Sequence, residues 1–192
     1  MATSLLIIRH AETALNASSV IQFPDTPLST RGRWQAERLA ARLGRSGVTH
    51  VVSSDYRRAH ETAQRICDLT KAKLVLDQEL RERNLGELRG RAYADVRDRV
   101  FAREFAPRTG ESWPVFHQRI DMLWERIQRI GQTVDGVLAL VTHGFVCQAL
   151  ATRHLTLTPH PKQLRFPNAS VTIVGPEPPW PVQVLGCDTH LQ

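Results

Sequence analysis

Apolar residues recur along this chain in two alternating patterns, short continuous runs and longer stretches with helical spacing. The short runs have the length of buried strands, and turn-forming residues bound them. They predict six strands, at residues 5–8, 50–53, 73–76, 137–141, 170–174 and 182–185. The run at 137–141 is the most apolar, which is typical of a strand buried on both faces, so we expect it at the centre of a sheet.

Between these runs, apolar residues recur at i, i+3, i+4 and i+7, the spacing of an amphipathic helix. Ser29 or Thr30 is the candidate N-cap of the first helix, and Ser112 opens a longer one. The three clearest apolar faces consist of Ala36, Leu39, Ala40 and Leu43, then Ala59, Ala63, Ile66 and Leu69, then Phe116, Ile120, Leu123, Ile127 and Ile130. A further helix is predicted at 145–154, and an irregular, charged one at about 90–106.

Strands that alternate with helices are typical of βαβ units. We therefore predict an α/β fold, a three-layer sandwich with a mostly parallel central sheet and helices on both faces. The stretch 90–131 is helical without an intervening strand, so we expect a small helical cap over the site, inserted at about 87–131. The length predicts a single domain over 1–192.

Polar side chains suited to catalysis or to phosphate binding follow four of the predicted strands. These are Arg9-His10, then Ser53-Ser54-Asp55 with Arg57 and Arg58, then Arg81-Glu82, then His143-Gly144. The carboxyl ends of parallel strands meet at one edge, where α/β proteins bind ligands. Arginine binds phosphate through paired hydrogen bonds, and histidine exchanges groups near neutral pH. The pattern indicates phosphoryl chemistry on a histidine, without choosing between Arg57 and Arg58.

Six short motifs in this order resemble those of the histidine phosphatase superfamily, also called phosphoglycerate mutase-like. They span residues 5 to 145, about three quarters of the chain. The motifs are Arg9-His10-Ala11-Glu12-Thr13, Pro27-Leu28-Ser29 with Gly32, Ser53-Ser54-Asp55-Tyr56-Arg57-Arg58-Ala59 with Thr62-Ala63, Leu80-Arg81-Glu82 with Gly86, Gly110-Glu111-Ser112, and Thr142-His143-Gly144.

The resemblance implies a role for each matching residue. His10 would be the nucleophile that accepts the phosphoryl group, and Glu82 would give a proton to the leaving oxygen. The family arginine directly precedes an alanine, which selects Arg58 over Arg57. The phosphate and its substrate would be bound by Arg9, Asn16, Arg58, His143 and Gly144.

The chain departs from the family pattern at two positions. Ala11 stands where the family usually has glycine, so we expect a small local shift. Phe23, after Gln22, also stands where relatives often have glycine. The resemblance therefore does not assign to Gln22 the substrate contacts that relatives make at this position.

The resemblance favours a metal-independent phosphomonoesterase that acts on a small phosphorylated metabolite through a phosphohistidine. Phosphoglycerate mutase is the first alternative, but mutases carry a longer insertion between the proton donor and the second histidine, and here only 61 positions separate Glu82 from His143. A non-catalytic phospho-ligand binding module is the second alternative, against which the intact motifs argue. Phosphatases of phosphohistidine proteins are a further option, although they tend to lack a helical cap.

Composition and charge limit the classes of partner and the compartment that we expect for this protein. The net charge is +6, yet the 22 arginines are spread along the chain in no basic block, so we expect no specific nucleic-acid partner. Three scattered cysteines, Cys67, Cys147 and Cys187, are typical of a reducing cytosol. Together with the lack of an apolar stretch long enough for a membrane span or signal peptide, they predict a cytoplasmic protein.

The remaining histidines show no shared metal-ligand spacing, so we expect no metal and no cofactor. These histidines are His50, His60, His117, His154, His160 and His190. The oligomeric state is not predicted.

Overall fold

The computed structural model describes residues 1–159 and 161–192. His160, for which a non-ligand role was expected, lies outside the described residues. Six strands form one sheet: β1 (Ala2–Arg9), β2 (Val48–Ser53), β3 (Lys73–Leu76), β4 (Gly136–Thr142), β5 (Val171–Val174) and β6 (Val182–Cys187). Their order is β3-β2-β4-β1-β5-β6, which confirms the predicted central position of the 137–141 strand.

The sheet is mostly parallel, as predicted. Strands β3, β2, β4 and β1 run parallel, whereas β5 pairs antiparallel with both β1 and β6. In this register Arg9 lies opposite Thr142, and Ser53 lies opposite Val141. The carboxyl ends of β1, β2 and β4 are therefore level, and the residues that follow them meet at one edge.

The described residues form six helices: α1 (Ala14–Ala17), α2 (Thr30–Leu43), α3 (Arg57–Thr70), α4 (Tyr93–Phe101), α5 (Trp113–Thr133) and α6 (Gly144–Arg153). Helices α2 and α3 pack against one face, α5 and α6 against the other. The continuous apolar run of β1 is explained by this arrangement, because Leu5 and Ile7 point into one core while Leu6 and Ile8 point into the other. The predicted three-layer α/β sandwich is confirmed.

Two local predictions from helical spacing need correction. Leu69 was assigned to a buried helix face but is 54% exposed, because it lies in the last turn of α3 next to Gly44, which has no side chain to cover it. The helix expected at about 90–106 is limited to Tyr93–Phe101.

The region over the site is smaller than the cap expected at about 87–131. Helix α5 belongs to the main helix layer, because its buried residues Phe116, Ile120 and Leu123 pack in the same core as Leu138 and Leu140 of the sheet. The residues that cover the site surround α4 and have a separate small apolar cluster of Ile21, Leu85, Leu88, Val96 and Val100. We call residues 84–111 the cap.

The loop after β1 is held against the start of α2 by a hydrogen bond and by close backbone packing. Ser29 is the N-cap of α2, since its Oγ accepts a hydrogen bond from the Gly32 amide at 2.9 Å. The Ser29 amide donates to the carbonyl oxygen of Glu12 at 3.0 Å. At Gly32 the two segments approach so closely that a Cβ atom would overlap that same carbonyl oxygen. Glycine is therefore required where α2 crosses the loop.

Candidate active site

A cavity of about 370 Å³ opens at the carboxyl ends of β1 and β4. At its base lies a polar group of side chains that we call the floor, consisting of Arg9, His10, Arg58, Glu82 and His143. All of these except His143 line the cavity directly, and Asn16 and Gly144 line it as well. The structure thus brings the predicted site residues together at one edge of the sheet.

His10 is held as a neutral imidazole with a defined tautomer. Its Nδ1 lies 2.7 Å from the carbonyl oxygen of Ala11, which can only accept, so Nδ1 carries the proton. The Nε of Arg58 donates to His10 Nε2 at 3.2 Å, so Nε2 carries the lone pair. Burial and the charges of Arg58 and Arg9 lower the pKa of His10 well below its usual value. Nε2, whose lone pair accepts from Arg58, is therefore the ring nitrogen suited to nucleophilic attack.

The two neighbouring arginines of α3 have different environments. Arg58 is 2% exposed, and its Nη1 also donates to the carbonyl oxygen of Phe23 at 2.9 Å. Burial lowers its pKa to about 10, so it remains a cation at neutral pH. Arg57 instead forms an ion pair with Glu61 at 2.7 Å on the surface. The side chain in the site is therefore that of Arg58.

Arg9 places a second guanidinium in the floor. Its Nη1 donates to the carbonyl oxygen of Phe166 at 2.6 Å, which fixes the side chain. Its buried Nε has no hydrogen-bond partner among the described residues. Buried donors are normally satisfied, so an unused one beside the cavity is suited to an oxygen of a bound ligand.

His143 is fully buried behind His10, with the two ring centroids 5.1 Å apart. Its Nε2 lies 2.8 Å from Ser54 Oγ, whereas its Nδ1 has no partner within the described part of the chain. Burial, followed by the charge of Arg58, lowers the pKa of His143 well below its usual value. The second histidine therefore lies next to the nucleophile but does not line the open cavity.

Glu82 lies at the N-terminus of α6. Its two carboxyl oxygens accept from the amides of Arg83 at 3.1 Å and Phe145 at 3.2 Å. Burial raises the pKa of Glu82, and this effect exceeds the opposing effects of the two amides and of Arg58 and Arg9. The carboxyl group keeps its proton to a higher pH than usual, which suits a general acid.

Asn16 and Gly144, which were predicted to contact the substrate, both line the cavity. Asn16 Oδ1 accepts from the Asn168 amide group at 3.2 Å and from the Thr13 backbone amide at 3.2 Å. Gly144 starts α6, and a Cβ there would lie 3.7 Å from both Arg9 Cζ and Glu82 Oε2. A side chain larger than hydrogen at this position would therefore reduce the space between the guanidinium and the carboxyl group.

The two departures from the family pattern are accommodated differently. Ala11 is fully buried, and its methyl group packs in the core between the sheet and α2 and α3. Gln22 lines the cavity despite the neighbouring Phe23, and its Oε1 accepts from Thr13 Oγ1 at 2.7 Å.

Sequence reasoning missed the residues that line the cavity above the floor. Arg83 lies directly before the cap, from the cap come Leu85, Arg89, Tyr93 and Phe101, and from α6 come Phe145 and Gln148. Gln148 was accessible to sequence reasoning, because it lies four residues after Gly144 on the same predicted helix face. The cap residues carried no such signal, since α4 has no strong apolar periodicity.

Arg83 ties the cap to the rest of the molecule. Its guanidinium donates to three carbonyl oxygens, those of Val100 at 2.8 Å and of Phe105 and Glu111, both at 3.1 Å. The guanidinium also lies over the Trp113 ring, 3.8 Å from its centroid. The N–H groups of Arg83 therefore stabilise the backbone of the cap.

With this geometry established, comparison with known proteins assigns the family. The model of the histidine phosphatase superfamily (branch 1) matches residues 5–186. The chain belongs to this superfamily. Phosphoglycerate mutase-like protein 4 of Arabidopsis thaliana is 33% identical over 199 residues, covering 98% of this chain and 86% of that protein.

Solved structures of the superfamily share the fold. Bacillus stearothermophilus YhfR is 26% identical and superposes with a TM-score of 0.85, covering 100% of both chains. A mycobacterial glucosyl-3-phosphoglycerate phosphatase in complex with VO3 is 28% identical, with a TM-score of 0.81, covering 96% of this chain and 99% of the other. The relatives of this chain therefore include both phosphatases and mutase-like proteins.

Neither a membrane-spanning helix nor a metal-binding group of side chains is found among the described residues. No helix among residues 1–159 and 161–192 combines the length and the apolar character needed to cross a bilayer. Within the same residues, no three His, Cys, Asp or Glu side chains are grouped in a way that could hold a metal ion.

Proposed function

We propose that this protein is a metal-independent phosphomonoesterase that hydrolyses a small phosphorylated metabolite through a phosphohistidine on His10. The observation that carries this proposal is the state of His10. Its imidazole is neutral, its Nε2 lone pair lies beside the Arg58 guanidinium, and the carboxyl group of Glu82, whose pKa is raised by burial, lines the same cavity. A nucleophile, a cation and an acid therefore surround one space.

In the first step, Nε2 of His10 attacks phosphorus and the bond from phosphorus to the ester oxygen breaks. The leaving oxygen takes the proton of Glu82 and departs as an alcohol. The charge on the three equatorial oxygens is stabilised by the guanidinium groups of Arg9 and Arg58, whereas His143 lies behind His10 and does not line the cavity. Arginine side chains thus supply the charge stabilisation that a metal ion supplies in other phosphoryl-transfer enzymes.

In the second step, water attacks the phosphohistidine and the bond from phosphorus to nitrogen breaks. Glu82, now a carboxylate, accepts a proton from the attacking water, and inorganic phosphate is released. His10 returns to its neutral form and Glu82 to its acid form. The cycle therefore consumes only the ester and water.

Phosphoglycerate mutase remains the second candidate, because a relative with 33% identity is named mutase-like. A mutase must transfer the phosphoryl group to a second hydroxyl group and keep water away from it. The short segment between Glu82 and His143 supports a site that water reaches, as expected for a phosphatase. A binding module without activity would not need a nucleophile and an acid together, yet His10 and Glu82 line the same cavity.

Rapid quenching tests the intermediate and separates the two reactions. A good ester substrate should leave acid-labile phosphate on His10, and none on the His10→Ala variant. Incubation with 3-phosphoglycerate and a bisphosphoglycerate primer should then release inorganic phosphate or leave the mixture unchanged. Efficient conversion to 2-phosphoglycerate would show that the protein is a mutase.

A further inference from the structure

The cap carries a guanidinium that the proposed reaction does not use. Arg89 lines the same cavity as His10 and is partly exposed there. Its Nη2 donates to Asn84 Oδ1 at 2.7 Å and lies 3.5 Å from the hydroxyl oxygen of Tyr56. Within residues 1–159 and 161–192, no carboxylate lies within ion-pair distance of Arg89.

The partner of Arg89 is itself rigidly held. Asn84 Oδ1 also accepts from the Gly86 amide at 3.0 Å, and the Asn84 side-chain amide donates to the Thr109 carbonyl at 3.1 Å. The Asn84 backbone amide donates to Glu111 Oε2 at 2.8 Å. Arg89 is therefore oriented through one nitrogen, while its Nε and Nη1 make no hydrogen bond to the described residues. An oriented guanidinium with open donors is suited to a carboxylate or phosphate.

The excess of positive charge in the cavity also indicates an anionic ligand for Arg89. Four arginines line it, Arg9, Arg58, Arg83 and Arg89, against the single carboxyl group of Glu82. In the proposed reaction Arg9 and Arg58 face the phosphate, and Arg83 is occupied by three backbone carbonyls. The charge of Arg89 is left without a counter-charge among the described residues.

Tyr56 contacts both the floor and Arg89. The Tyr56 ring centroid is 5.4 Å from that of His143 and 5.2 Å from Arg58 Cζ, whereas Arg89 lies at the hydroxyl end of the ring. The Nε of Arg58 lies 3.2 Å from His10 Nε2, whereas Arg89 makes no hydrogen bond to a floor residue within the described part of the chain. Much of the nearby cavity wall is apolar, formed by Leu85, Tyr93 and Phe145.

We propose that Arg89 binds a second anionic group of the substrate, a carboxylate or a phosphate that the alcohol part carries beyond an apolar segment. The proposal rests on the proposed phosphatase function, because it takes the reacting phosphate to lie on the floor. Arg89 is then a specificity-determining residue, and the substrate is a phosphate monoester with negative charge at both ends.

The test compares Arg89→Gln with Arg91→Gln. Both changes remove one positive charge from the same segment, but Arg91 is exposed and does not line the cavity. The probes are alkyl phosphates, ω-carboxyalkyl phosphates of matched chain length and alkanediol bisphosphates. Their dissociation constants are measured by calorimetry on the His10→Ala background, and their kcat/KM values on the active protein.

For the wild type, a carboxylate or second phosphate at the best chain length should tighten binding relative to the plain alkyl ester. Arg89→Gln should remove about 10- to 100-fold of that preference, the range for a charge-assisted hydrogen bond, and leave the plain ester within about twofold. Arg91→Gln should leave the preference unchanged. The carboxylate and bisphosphate arms identify which anion the site prefers.

Equal losses on charged and plain esters would overturn the proposal, since Arg89 would then act on the floor or on the fold. A preference that survives Arg89→Gln, or that is missing from the wild type, would overturn it as well. If the active protein hydrolysed none of the esters, the proposed phosphatase function would fail. The dissociation constants would still decide the role of Arg89.

Discussion

The floor and the cap of the cavity are constructed in different ways. The floor residues lie at the carboxyl edge of the main sheet, and four of the five are hydrogen-bonded to the backbone or to another floor residue, as His10 is to Ala11 and Arg58. The cap has its own small apolar cluster and presents Phe101 to the cavity with 47% of its surface exposed. We infer that the floor performs the chemistry, and that the cap selects the alcohol part of the substrate.

The largest effect is expected at the nucleophile. His10→Ala should reduce kcat by at least about a thousandfold, the scale for a residue that acts within a catalytic unit. His60→Ala, on α3 outside the cavity, serves as the control and should leave kcat within about twofold. Turnover by His10→Ala near the wild-type rate would refute the mechanism.

Glu82→Gln should lower kcat by about 10²- to 10⁴-fold for alkyl phosphates, which need a proton on the leaving oxygen. The loss should be much smaller for p-nitrophenyl phosphate, whose leaving group is stable as an anion. Because the acid form of Glu82 is the donor, wild-type kcat for alkyl esters should fall as pH rises through the raised pKa of this group. Steady-state pH profiles of both proteins measure this, and an unchanged limb in Glu82→Gln would assign it to another residue.

A change in the cap should alter binding more than chemistry. Phe101→Ala should raise KM for esters with an apolar alcohol part by up to about tenfold, with little change in kcat. Trp34→Ala is a suitable control, because Trp34 is a similarly exposed aromatic residue, at 44%, on a helix outside the cavity. A large fall in kcat for Phe101→Ala with unchanged KM would mean that the cap takes part in the reaction itself.

The smallest effect is expected from chelation. Arg9 and Arg58 supply the cationic environment of the phosphate, so excess EDTA should leave kcat and KM unchanged. Loss of activity that a divalent ion restores would contradict the assignment of the site. Vanadate, which adopts the geometry of pentavalent phosphorus, should inhibit competitively in the same assay.

The sequence allowed much of the floor to be predicted, because strand periodicity and motif order both constrain it. The apolar run before Arg9-His10 located the end of β1, and level strand ends then placed His10 and His143 together. Periodicity alone does not choose between Arg57 and Arg58. The two residues are adjacent at the start of one helix, and only the direction of their side chains differs. The resemblance to the family selected Arg58, which the structure places beside His10.

The cap was less predictable for a physical reason. The structure of the cap depends on contacts between segments that are distant in sequence, such as the hydrogen bonds from Arg83 to Val100, Phe105 and Glu111. Helix α5 was assigned partly to the cap because no strand separates it from α4, yet its apolar face fits the sheet. Periodicity identifies a buried face but does not state which surface covers it.

The contact at Gly32 couples the stability of a helix to the position of the nucleophile. Helix α2 contributes no side chain to the cavity, but its first turn touches the backbone two residues after His10. A methyl group at position 32 would push that backbone aside and, with it, the imidazole that must align with phosphorus. Engineering of this helix for thermal tolerance therefore has to preserve Gly32, since a residue with higher helix propensity there would misalign the reaction.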